Sequence, residues 1–239
     1  MSDRNSPPDL PVCLVHPHGQ RANRQGQGLA NCYYLLMSIA LMRLDQSILG
    51  LALKLADLEW GREDIDAFFC AIGAESGAAD SFFEDLDGRI KLGDRSVQAA
   101  FDPSSGKILS FHIPSALCYL ADNDPTDPDF RFFRELREAE SGWQVDMTGD
   151  SEEYSQAWKD GRWLVQNALG PPAKLGVHGI GGWLHAVWRR GERLVAIVQT
   201  ESFASYIPLN QVALWVVDHS SDQPIPVGDE LYELITKNA

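Results

Sequence analysis

The sequence has little with which to hold a polyanion. Its 20 Lys and Arg stand against 34 Asp and Glu, a formal net charge of −14. No basic run exceeds the pair Arg189-Arg190. Such a surface repels phosphate backbones and anionic headgroups, so neither nucleic acid nor a membrane surface is an expected partner. The longest near-continuous apolar stretch, Cys32–Met42, is about half of the roughly 20 residues that a membrane-spanning helix needs. Cysteine is scarce. Cys13, Cys32, Cys70 and Cys118 are widely spaced and form no CxxC pair. The opening MSDRNSPPDLPV has neither the basic nor the apolar region of a signal peptide. These absences predict reduced thiols in a cytoplasmic protein, or in an effector exported by a signal-less route. Cys13, His16 and His18 lack a fourth ligand for zinc. Asp122–Asp129 lacks the Gly and the terminal Glu of a calcium loop. No metal and no cofactor is expected.

What is present suits a packed core. The 239 residues are 44% hydrophobic and include 7 Trp and 10 Phe, enough for one large domain. Residues 1–12 are polar and Pro-rich and read as a flexible arm, with a single domain over 13–239. Cys13–His18 suits a short strand, and 19–31 a Gly/Gln/Asn-rich loop. Cys32–Met42 is apolar on every side, which predicts a buried helix. Asn31 would cap it and place Cys32 in its first turn. Further helices are expected from Asp45 or Ser47 to Leu58, over Glu63–Ile72 with Gly73 as stop, and over Arg95–Phe101 behind Asp94. Others are expected over Ser115–Leu120, over Pro128–Ala139, and from a Ser151 cap to Leu169, closed by Gly170. Lys107–Ile113 reads as a strand. The region around 75–170 reads as a helical insertion. In the last third the period changes: strands over Trp183–Arg190, Leu194–Gln199 and Val212–Val217, then a helix over Asp229–Lys237. Helices first and antiparallel strands last predict an α+β domain.

One constellation carries chemistry. Gln27-x4-Cys32 sits at a loop-to-helix junction, where unpaired N–H groups and the helix dipole would favour a thiolate. The Gln27 amide would help bind a developing oxyanion. His185 follows the loop Gly179-Ile180-Gly181-Gly182 and would take the thiol proton. His178, before the same loop, competes for that role. Gln199, at the end of the partner strand, would orient the imidazole. A three-residue hairpin loop places Gln199 opposite His185. A two-residue loop pairs His185 with Val198 and turns Gln199 to the other face, leaving Thr200 or Glu201 as orienter.

This order resembles that of papain-fold thiol enzymes: an oxyanion Gln or Asn, Cys, His, then Asn, Asp or Gln. Within them it is most similar to Josephin domains and, more loosely, to ubiquitin-specific proteases. Gln27–Leu41 resembles the Josephin Cys helix with its upstream Gln. HAVWRRGERLVAIVQ, His185–Gln199, is similar to the His strand, Gly turn and orienter strand. Ser96–Phe101 after Asp87-Gly88 echoes the intervening helix, and Ala213–Asp218 the closing strand. The likeness covers about a quarter of the chain. It implies a papain-like α+β fold with a buried N-terminal Cys helix and a helical region packed on a C-terminal antiparallel sheet. It implies Cys32 as nucleophile, His185 as base, Gln199 as orienter, Gln27 as oxyanion donor, and Trp183 and Gly182 beside a substrate groove. The implied activity is a cysteine protease or isopeptidase acting on a protein, of the ubiquitin-like class. Josephin domains use Asn as orienter. A Gln there resembles bacterial effector glutamine deamidases, which share the fold. The charge of −14 supports a different class: an acidic binding or inhibitor protein without chemistry of its own.

Overall fold

The computed structural model describes residues 37–73, 89–92, 95–102, 104–120, 128–138, 142–179, 182–201 and 209–236. Cys13, Gln27, Cys32, the arm and the loop over 19–31 lie outside the described residues. Within them the chain is α+β. Nine strands form one antiparallel sheet, and five helices cover it. In chain order these are β1 (Met37–Leu41), α1 (Gln46–Asp57), α2 (Arg62–Ala71), β2 (Arg89–Leu92), β3 (Arg95–Phe101), β4 (Ile108–Leu120) and α3 (Pro128–Glu138). Then follow β5 (Gln144–Gly149), α4 (Ser151–Leu169), β6 (Lys174–His178), β7 (Trp183–Arg190), β8 (Arg193–Glu201), β9 (Asn210–Asp218) and α5 (Asp229–Thr236). The sheet order is β2-β3-β4-β9-β8-β7-β6, with β1 also pairing with β4 and with β5.

Alternation along the strands divides the core. Ala186, Trp188, Val195, Ile197, Val212, Leu214 and Val216 meet α1, α2 and α4 on one face. Their neighbours Val187, Leu194, Ala196, Val198, Ala213, Trp215 and Val217 meet Leu231 and Ile235 of α5 on the other. Both faces of β7–β9 are therefore buried, which explains why these strands read as nearly unbroken apolar runs. Around α3, Phe133 packs with Ala40, Leu117 and Leu209.

Two expected helices, and the described part of a third, are strands. The run ending at Met42 is β1 over Met37–Leu41, not the continuation of a Cys32 helix. Its character comes from burial on two sides: Met37 and Ile39 enter one core and Ala40 the other. An apolar run without period fits a sandwiched strand as well as a buried helix. Arg95–Phe101 is β3, held by ladders to β2 and β4. Ser115–Leu120 belongs to β4, which runs unbroken in direction for 13 residues. Pro114 is not a helix boundary but stands beside a bulge between Pro114 and Ala116, where a central strand tolerates the missing N–H. The described part of the region around 75–170 thus holds four strands of the common sheet, β2 to β5, besides α3 and α4. Cys118, in an apolar stretch that reads as helical core, is buried in a strand, and its burial pushes the thiol up to about 12. Cys70, whose apolar helical setting reads as core, is exposed.

The helices that position the rest follow their caps. Asp45 accepts from the Ile48 N–H at 2.9 Å. Asp150, not Ser151, caps α4 and accepts from Glu152 and Glu153 at 2.9 and 3.0 Å. Helix α4 is tied down by Tyr154 Oη–H to the Gln211 carbonyl (2.8 Å) and by Trp158 Nε1–H to that of Ile197 (3.2 Å). Gly161 lets it lie close, since a Cβ there would stand 2.9 Å from Ile197 Cδ1.

Candidate functional site

The turn between β7 and β8 decides the first question. Arg190 pairs with Arg193 across the two residues Gly191 and Glu192, so His185 faces Val198. Gln199 therefore projects from the other face, where its Oε1 accepts the Leu184 N–H at 3.0 Å. Thr200 Oγ1–H donates to the Glu201 carbonyl (3.0 Å), and Glu201 is exposed. Neither Gln199 nor the two alternatives orients the imidazole.

His185 is itself a buried acceptor. It crosses over Gly176 of β6, its register partner, and only the missing Cβ leaves room for the ring. Its Nε2 accepts the Gly228 N–H at 3.1 Å, at the entry to α5. That bond requires the neutral form. Burial, and then the neighbouring charge of His178, depress its pKa to about 4.

The residue with a carboxylate partner is His178. Its Nδ1 lies 2.6 Å from Asp229 Oδ1, which also accepts the Gly179 N–H at 3.2 Å. The ring stacks on Tyr232, with centroids 3.8 Å apart and planes at 12°, and Trp183 lies 5.6 Å away. Burial, and then the charge of Glu201, raise the Tyr232 pKa. A carboxylate on Nδ1 fixes the tautomer and leaves Nε2 as the basic atom, the logic of a hydrolase triad. Gly182 serves the turn, with φ of 67° and its N–H donating to Gly179 O (3.3 Å).

A second feature lies away from these histidines. A cavity of about 380 Å³ opens between one flank of α4 and the segment that follows β1. Leu41, Leu44, Ala157 and Leu164 give it apolar walls, Ser115 lies at the β4 side, and Arg43 stands opposite the helix. The helix contributes Glu153, Gln156, Asp160 and Trp163. Gln156 Nε2–H donates to Asp160 Oδ1 at 2.7 Å, which holds that carboxylate at the rim. Trp163 is 66% exposed. The lining thus combines apolar walls, two carboxylates, Arg43 and an open indole.

No protein-family model, no curated protein and no solved structure matches the chain.

Among the described residues, no helix is long and apolar enough to cross a membrane, and no group of three or more His, Cys, Asp and Glu could hold a metal ion. Sequence reasoning missed Asp229 and Tyr232, because a partner 51 positions from His178 leaves no local pattern. Trp163 did leave a signal. On a helix that buries Tyr154, Trp158, Gly161 and Val165, it falls on the opposite side of the wheel, an aromatic on the polar face.

Proposed function

We propose that the protein works by binding a basic protein partner, with α4 and its cavity as the recognition element. The single observation that carries this reading is the exposed Trp163 beside Glu153 and Asp160 over an apolar trough. Net charge of −14 supplies long-range attraction for a cationic partner. The trough takes the methylene stem of a Lys or Arg, the indole face attracts its cation, and the carboxylates complete the site. Calorimetry with a Lys- and Arg-rich peptide tests this. Trp163→Ala and Asp160→Asn, both on the open side of α4, are expected to weaken binding by about tenfold or more each. Unchanged affinity in both variants would refute the assignment of the cavity.

The thiol-enzyme reading keeps one specific support, the His178–Asp229 pair at 2.6 Å. In that form of the reading His178 replaces His185 as base and Asp229 replaces Gln199 as orienter. Cys32 remains the nucleophile: its thiolate adds to an amide carbonyl, the C–N bond breaks, the amine (ammonia in a glutamine deamidase) leaves with a proton from the His178 imidazolium, and water cleaves the thioester to carboxylate and thiol. A papain-like arrangement then needs Cys32 beside His178 Nε2. Site-resolved alkylation decides it: fast reaction of Cys32 well below the free-thiol pKa of about 8.5, abolished by His178→Ala, supports a thiolate–imidazolium pair. Alkylation of Cys32 that is indifferent to His178→Ala removes it.

A further inference from the structure

Among the described residues four large apolar side chains stand exposed: Trp163, Leu175, Val177 and Val227. Trp163 belongs to the cavity already described. The other three gather at one edge of the sheet. Leu175 and Val177, 47% and 44% exposed, are both on β6, which is hydrogen-bonded to β7 and ends the sheet order of the described strands. Val227 precedes Gly228, where a Cβ would lie 3.4 Å from the Val177 carbonyl. An edge strand that shows apolar side chains is a template for strand pairing, and natural proteins usually blunt such edges with charge, proline or a bulge. Here Lys174 is the one cationic residue on the strand.

The strand is self-complementary about Gly176. In an antiparallel pair of two β6 strands centred on that residue, Leu175 faces Val177 of the second copy, and Lys174 faces His178 of the second copy. Leu175 and Val177 share the face of their partners Ala186 and Leu184, so the pair and its symmetry mates form one four-residue apolar cluster. On the opposite face each Lys174 comes beside the Asp229 that His178 holds in the other copy, a carboxylate 76% exposed. Two glycines meet at the centre, where no side chain separates the backbones. An isologous two-fold contact needs this symmetry of a surface patch with itself.

We propose that β6 pairs antiparallel with β6 of a second copy, in register about Gly176, and joins two sheets into one. Both copies carry −14, so their mutual repulsion opposes the contact. The dimer is therefore strengthened by salt as the Debye length falls from about 30 Å at 0.01 M to about 8 Å at 0.15 M. A contact of one short strand is also small, at the weak end of specific interfaces.

Sedimentation of the full chain over a concentration series at both ionic strengths tests the pairing. The expected result is a reversible monomer–dimer equilibrium whose association constant rises several-fold with salt. Val177→Lys and Leu175→Lys should each leave a monomer with unchanged circular dichroism, since both side chains already face solvent. The register is tested separately, by oxidising a mixture of the single variants Leu175→Cys and Val177→Cys against wild type. A 175–177 cross-link between copies is expected, with little 175–175 or 177–177 product. A monomer at all concentrations into the millimolar range, a dimer indifferent to Val177→Lys, or cross-links between identical positions would each overturn the proposal.

Discussion

His185 shows how a single side chain changes role once its neighbours are known. Its bond to the Gly228 N–H exists only for the neutral ring. The folded pKa, about 4, lies below the ordinary value of 6.5, so the unfolded chain binds the extra proton first. Its contribution is therefore whole above pH 6.5 and is lost as pH falls towards 4. The difference amounts to about 3 kcal/mol at most. Urea unfolding across this window should show the loss, and His185→Gln should flatten it. A slope unchanged in that variant would place the titrating group elsewhere. Gly176 is the complementary case. A Cβ there would lie 2.7 Å from His185 Cε1 and closer still to Nε2, with the ring held from the far side. Gly176→Ala is expected to cost roughly 1–3 kcal/mol by the same assay, as overpacked sites do. A cost near zero would mean that the ring swings aside.

Elements were legible where local chemistry ends or begins them. Asp45 before α1, Gly73 after α2 and Gly170 after α4 are punctuation that a sequence displays, the last two with φ of 85° and 81°. The hairpin β7–β8 was also plain, although its turn length was not, and that one residue of register sent Gln199 to the wrong face for a triad. What sequence hid is burial on two sides. Residues 37–41 have no period because β4 and β5 flank them while cores lie above and below. Residues 95–101, Ala- and Gln-containing, are held as strand by pairing with β2 and β4, against local preference. The expected site fared similarly: His185, expected as a base, is a buried acceptor over Gly176 and beside Gly228, and both these contacts and the His178–Asp229 pair arise only from the third dimension. At this scale the cap of α4 offers a clean test. Asp150→Ala removes an acceptor from two N–H groups and should lower stability by about 1 kcal/mol, read from the thermal midpoint. An unchanged midpoint would mean that Ser151 takes over the cap.

The described residues form a broad antiparallel sheet with helices on both faces and an open cavity along α4 beside the exposed Trp163, in a chain with a net charge of −14. This combination suits recognition at a distance followed by an anchored cation. In the proposed binding mode, steering would depend on the total charge and on salt, and anchoring on Trp163, Glu153 and Asp160. The two are separable, because a rim charge alters association rates and an anchor alters dissociation. The most direct measurement is the affinity of a Lys- and Arg-rich peptide for wild type and for Cys32→Ala, titrated calorimetrically at several salt concentrations. The account predicts a complex that forms equally well with both proteins, leaves the peptide chemically intact, and weakens steeply as salt rises. A salt-insensitive affinity, or a covalent or hydrolysed product that disappears with Cys32→Ala, would contradict it and return the thiol to the centre of the mechanism.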